Sequence, residues 1–125
     1  MSRAGANIII PRKLMQRGQF LTWPYAQKHQ LLADLEVTAI VNLWSKVDPD
    51  LSSIAEGRIY LMWHCSPSRV PPLADELVAL VEALINGGHV VLIHCEAGRG
   101  RSVWLTARVL AAYLGISRTE AYARV

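Results

Sequence analysis

Nine consecutive residues, His94-Cys95-Glu96-Ala97-Gly98-Arg99-Gly100-Arg101-Ser102, hold the side chains of this sequence best suited to chemistry. They combine a thiol, a glycine-bearing turn and a guanidinium six positions after the sulfur. Gly98 and Gly100 permit positive φ and close approach to an oxyanion, so the amides from Glu96 to Arg101 can form a concave nest for phosphate. Arg101 can grip two phosphate oxygens with its planar fork. The same amides and cation lower a thiol pKa, so Cys95 is expected as a thiolate near neutral pH. Each unit of lowering is worth about 1.4 kcal/mol of preference for the ionised form. Ser102 can donate its hydroxyl proton to the sulfur and help it leave. His94 is read as orienting the loop, because a thiolate needs no general base.

Two elements must position this loop. Residues 89–93, His-Val-Val-Leu-Ile, form a short β-branched run expected of a buried parallel strand. Residues 103–114 have helix length and few polar side chains. The loop therefore lies at the positive end of a helix dipole, where an anion is stabilised.

His-Cys-x5-Arg-Ser between a strand and a helix resembles the signature loop of the cysteine-dependent protein tyrosine and dual-specificity phosphatases. The resemblance covers the chain from about Val37 onward. It implies metal-independent hydrolysis of phosphomonoesters through a phospho-cysteine intermediate, with no cofactor. Cys95, Arg101 and Ser102 would be the catalytic residues. It also implies an aspartic acid on an earlier loop that protonates the leaving oxygen.

That acid is missing from its expected position. The corresponding stretch, 64–72, reads His-Cys-Ser-Pro-Ser-Arg-Val-Pro-Pro, with Ser68 where Asp is expected and no carboxylate anywhere in it. An inactivated enzyme, a substitute acid, or a leaving group that needs little protonation would each account for this. Asp75, near the start of the next helix, is the candidate substitute; its ordinary reading is a first-turn charge favoured by the dipole. Asp48 and Asp50 read as turn formers, and His64 as a strand-end residue with a structural hydrogen bond. Cys65 is either a small core residue or the partner of Cys95 in a reversible disulfide.

A protein tyrosine or dual-specificity phosphatase is the leading functional reading, with a phosphorylated protein or small phosphomonoester as substrate. Arg99 adds a second cation, and related loops of the form His-Cys-x-Ala-Gly occur in phosphatases of phosphoinositides, phosphatidylglycerophosphate and phytate. An inositol or lipid phosphate is therefore the alternative substrate. The alternative of a different class is a phosphate-binding module with little or no turnover.

Composition bounds these readings. At 125 residues, 52% hydrophobic and 18% charged, the chain suits one folded domain spanning 1–125, expected to be minimal or truncated at its C-terminal helices. A net charge of +3 suits an anionic substrate and falls short of a nucleic-acid stripe. Ile8-Ile9-Ile10 stops at Pro11, too short for a membrane span, and a working thiolate argues for the cytoplasm. His and Cys occur without metal-ligand spacing, and the four tryptophans read as core.

Strands are expected over 7–10, 19–23, 37–43, 58–63 and 89–93. The first two are read as an edge hairpin separated by the basic residues Arg12, Lys13 and Arg17. Helices are expected from Pro24 to about Leu35, over 73–86, over 103–114, and after the capping-box sequence at Ser117. The expected fold is α/β, with a mainly parallel central sheet of four to five strands flanked by helices on both faces. The active site is expected at the carboxyl edge of the strand ending at Ile93.

Overall fold

Strands buried on both faces need helices on each side, and the arrangement of this chain meets that need. The computed structural model describes residues 5–52, 57–65 and 73–125, and the backbone at 2–3. In chain order the elements are β1 (Ser2–Arg3), β2 (Ala6–Ile10), β3 (Leu14–Arg17), α1 (Tyr25–Asp34), β4 (Ala39–Asn42), β5 (Ile59–Met62), α2 (Ala74–Asn86), β6 (Val91–His94), α3 (Arg101–Leu114) and α4 (Arg118–Arg124). Among the described residues the strands form one six-stranded sheet in the order β1-β2-β3-β6-β4-β5. The first three run antiparallel, and β3, β6, β4 and β5 are parallel neighbours.

Alternation along the central strands divides the core. Leu14, Ala39, Val41, Val91 and Ile93 pack with Leu77, Val81 and Ile85 of α2 and with Leu105 and Val109 of α3. Met15, Ile40 and Leu92 point the opposite way, into a cluster with Leu31, Leu32 and Leu35 at α1. Burying one such leucine is worth about 2 kcal/mol. The two clusters together hold the carboxyl ends of β3, β6 and β4 level with one another. In that register Arg17 and Asn42 both lie beside His94.

The two-face layering and parallel centre follow the sequence expectation, with the two-residue β1 raising the strand count to six. The amino-terminal hairpin is corrected. Its second strand is Leu14–Arg17, within the stretch read as a basic separator, and 19–23 is a turn. Charged neighbours hid a strand whose own Leu14, Met15 and Gln16 are buried. At 19–23 the backbone departs from the ladder because the Gln19 amide donates to the Glu96 carbonyl at 2.9 Å and the Gln19 side chain accepts from the Leu21 amide at 2.7 Å. Phe20 is then buried edge-on to Trp23. Far from lying at an edge, β3 is interior and runs beside β6.

α3 ends at Gly115 in the left-handed region, φ +67, where a side chain would be strained. α4 starts as its capping sequence requires, with the Ser117 hydroxyl accepting the Glu120 amide at 3.1 Å. No helix of the described residues is long and apolar enough to cross a membrane.

Candidate active site

β6 delivers His94 to the sheet edge and α3 begins at Arg101, so residues 95–100 form the connecting turn. Gly98 has φ +73. Gly100 does not take the positive φ expected of it: at φ −129 it is the N-cap of α3 and its carbonyl accepts the Trp104 amide at 2.8 Å. A residue that must turn its carbonyl down the helix axis is fixed by that bond. The first amides of α3 are left facing the loop.

Cys95 is buried, with its sulfur 3.2 Å from the Ser102 hydroxyl and accepting the Ser102 amide at 3.4 Å. Burial pushes its thiol pKa up. The Ser102 hydroxyl and amide, the Gly98 amide and the Arg101 charge together outweigh that effect, and the thiol ends below its ordinary value. The Arg101 side chain is largely buried and donates from Nη1 to the Cys65 carbonyl at 2.9 Å. Its Nη2 lies 3.9 Å from the Glu96 carboxylate, so Glu96 faces Arg101 rather than Arg99. Arg99 is exposed and makes no hydrogen bond or ion pair with the described residues.

His94 is buried, with Nδ1 3.4 Å from the Cys95 carbonyl and its ring edge-on to Phe20. Burial, more than any other influence, holds its pKa down to about 4. The imidazole is therefore neutral at physiological pH, as an orienting side chain can be and a cationic phosphate ligand cannot.

The loop rests on β3 through contacts that no motif announced. The fully buried Gln16 donates from Nε2 to the Gly98 carbonyl and to the Ser102 hydroxyl, each at 2.7 Å. Its Oε1 accepts from Asn7 Nδ2 at 2.9 Å. Arg17 stacks over Phe20 and Trp23 at 4.5 Å and donates to the Gly5 and Gly18 carbonyls. A cleft of about 440 Å³ lies between this strand and the loop, lined by Asn7, Gln16, Arg17, Gly18, Ala97 and Gly98. The signal available for Gln16 was a polar residue among apolar ones in a short run. That signal has meaning only once residues 14–17 form a strand.

The remaining candidates separate from the loop. Ser68 lies outside the described residues. Asp75 does not reach the site: it is exposed and lies 3.5 Å from Arg108, which at a helical rise of ~1.5 Å per residue is about 10 Å along α3 from Arg101. Its carboxylate is attracted to the nearest cation on the facing helix. Asp48 and Asp50 do more than form a turn. They bind Lys28 of α1, each at 2.9 Å, with Lys28 and Asp48 buried. His64 is exposed and makes no hydrogen bond with the described residues, so the structural bond expected of it is absent among them. Cys65 is buried in the same apolar cluster as Cys95, and both thiols are free. Burial pushes the Cys65 thiol up, and its S–H donates to the Trp63 carbonyl at 3.1 Å.

A buried thiol of lowered pKa, a guanidinium and converging amides can hold a phosphoryl group and attack it. No curated protein matches the chain in sequence. Solved structures match its fold. The Cydia pomonella PTP-2 phosphatase is 19% identical with a TM-score of 0.73, over 98% of this chain and 79% of that one. Human DUSP28 is 21% identical with a TM-score of 0.74, over 99% and 80%. PTPMT1 in complex with PI(5)P is 19% identical with a TM-score of 0.76, over 93% and 78%. The family described as "Tc-R-P: Polymorphic toxin system, DSP-PTPase phosphatase" matches residues 18–118. That span holds β6, the 95–100 loop and α3 entire, and the chain accordingly belongs to this DSP-PTPase phosphatase family of polymorphic toxin systems, as a cysteine-dependent phosphatase.

Proposed function

We propose that the protein hydrolyses phosphomonoesters in two steps through a phospho-cysteine on Cys95, and that its substrates are phosphorylated proteins, aryl phosphates foremost. The environment of the Cys95 sulfur carries this reading: two bonds from Ser102 and the nearby Arg101 charge lower the thiol despite its burial. In the first step the thiolate attacks phosphorus, an S–P bond forms and the ester O–P bond breaks. The loop amides and Arg101 take up the charge on the phosphoryl oxygens. In the second, water displaces the sulfur and Ser102 stabilises the departing thiolate.

Aryl substrates are favoured because the 64–72 segment contains no carboxylate and Asp75 lies exposed beside Arg108, away from the loop. A phenolate leaves with little protonation, whereas an alkoxide needs an acid. A thiolate enzyme of this kind suits a reducing, cytoplasmic setting.

Arg99 favours a second reading, an inositol or lipid phosphate. Its exposed cation is free of partners among the described residues and stands two positions before Arg101, and PTPMT1, a structural neighbour, has been crystallised with PI(5)P. Phosphate release from p-nitrophenyl phosphate in reducing buffer, compared between the protein and Cys95→Ser, tests the mechanism. Activity lost with the sulfur supports the proposal; a folded protein that binds phosphate without releasing it would be a phosphate-binding module instead. Parallel assays with phosphotyrosine peptide and phosphoinositide separate the two substrate readings.

A further inference from the structure

Gln16 stands outside the residues that touch a phosphate, yet its hydrogen bonds reach two of the groups that shape the site. Neighbours dictate which way its amide faces. The Gly98 carbonyl can only accept, so the group 2.7 Å from it is the Gln16 NH2. Asn7 donates to the opposite, carbonyl end of the amide. The second N–H then points at Ser102 Oγ, 2.7 Å away.

Ser102 therefore accepts from Gln16 and must place its single proton elsewhere. Cys95 Sγ lies 3.2 Å away and the Arg17 carbonyl 3.4 Å. An ionised sulfur that is also nearer is the stronger acceptor. Because a trans peptide holds C=O and the next N–H antiparallel, tying the Gly98 carbonyl to β3 also turns the Arg99 amide away from β3.

We propose that Gln16 is a positioning residue for the phosphatase reaction, locking the Ser102 hydroxyl so that its proton faces the Cys95 sulfur. The inference rests on the phospho-cysteine reading above. Its effect falls mainly on the second step, in which an oxygen of water bonds to phosphorus, the S–P bond breaks and its electron pair returns to sulfur. The water proton passes to the phosphate product or solvent. A hydroxyl held toward the sulfur stabilises that returning charge; one free to rotate does so only part of the time.

The test uses the full chain with p-nitrophenyl phosphate, comparing the wild type, Gln16→Met, Ser102→Ala and the double variant in stopped flow. Methionine keeps the length and apolar fit but cannot donate. Loss of one directed hydrogen bond to a charged group predicts that Gln16→Met lowers kcat by about tenfold. It also predicts a burst of p-nitrophenolate as the phospho-enzyme accumulates. The pH profile of Cys95 alkylation moves upward, and in the Ser102→Ala background Gln16→Met changes kcat by less than about twofold. Asn7→Ala, at an exposed position, moves burst and profile in the same direction by less, and carries the test if circular dichroism shows Gln16→Met unfolded. Full multiplication of the Gln16 and Ser102 effects, or a lower kcat with neither burst nor profile shift, overturns the proposal. Phosphate release by the wild type that survives Cys95→Ser instead overturns the phospho-cysteine reading beneath it.

Discussion

Gly18 and Gly98 pack backbone against backbone: a Cβ at Gly98 would sit 2.8 Å from the Gly18 Cα, and one at Gly18 would sit 3.0 Å from the backbone of Ala97. Neither neighbour is a flexible side chain that could swing away. Gly98 also has φ +73, where an L side chain is strained. Gly98→Ala is expected to destabilise the fold by about 2 kcal/mol and to lower kcat/KM by more than tenfold, since the loop can relieve the clash only by leaving β3. Urea unfolding and p-nitrophenyl phosphate kinetics on one preparation check both.

The lowered Cys95 thiol predicts the form of its pH dependence. A thiol whose folded pKa lies below the ordinary value is ionised before an exposed cysteine would be. Alkylation by iodoacetate should persist below the pH at which a model thiol stops reacting, then fall as pH drops through the folded pKa. Arg101→Lys removes the planar fork and should reduce kcat/KM by about 100-fold. The alkylation profile should move much less, because the charge remains.

His94 makes stability sensitive to acid. Its pKa is held at about 4 against 6.5 for the free group, so between these values the unfolded chain binds the extra proton. Stability therefore falls as pH drops from 6.5 to 4, by about 3 kcal/mol for a shift of this size. Replacing the imidazole with the non-titrating amide in His94→Gln should flatten this limb, as measured by urea unfolding at pH 7, 5.5 and 4.

Lys28 is the cation under Asp48 and Asp50, and the three tie α1 to the turn after β4. Burial alone would lower its pKa, but bonds to Asp50 and Asp48 reverse this and raise it. The stabilisation is thus present through neutral pH and is lost only as alkaline pH passes the raised value. Lys28→Met strands the buried Asp48 and should cost about 3 kcal/mol. Adding Asp48→Asn should recover part of that loss in thermal or urea melts.

Leaving-group dependence probes proton donation directly. With no carboxylate in 64–72, kcat/KM should fall steeply as the leaving phenol becomes less acidic across a series of aryl phosphates. Alkyl phosphates should be turned over at least about 100-fold more slowly, the lower end of the range that general acids contribute. A flat dependence would reveal a proton donor at work.

The 95–100 loop was legible from residues 94–102 because a thiol, glycines and a guanidinium at fixed spacing impose their own local geometry between a strand and a helix. Most helices and the central strands were legible for the same local reason, through periodicity and capping residues such as Ser117. What lies across sequence distance was not. Gln16 meets Ser102 over 86 positions, and Lys28 meets Asp48 over 20. Gly18 gains meaning only once β3 is placed beside β6. The separation of Asp75 from the loop likewise depended on the packing of α2 against α3, which brought Arg108 to its carboxylate. The sequence alone determined which atoms could react, because reactivity follows side-chain type and local turn. Tertiary structure decided which groups hold them in place, because buried hydrogen-bond partners are chosen by the packing of distant elements.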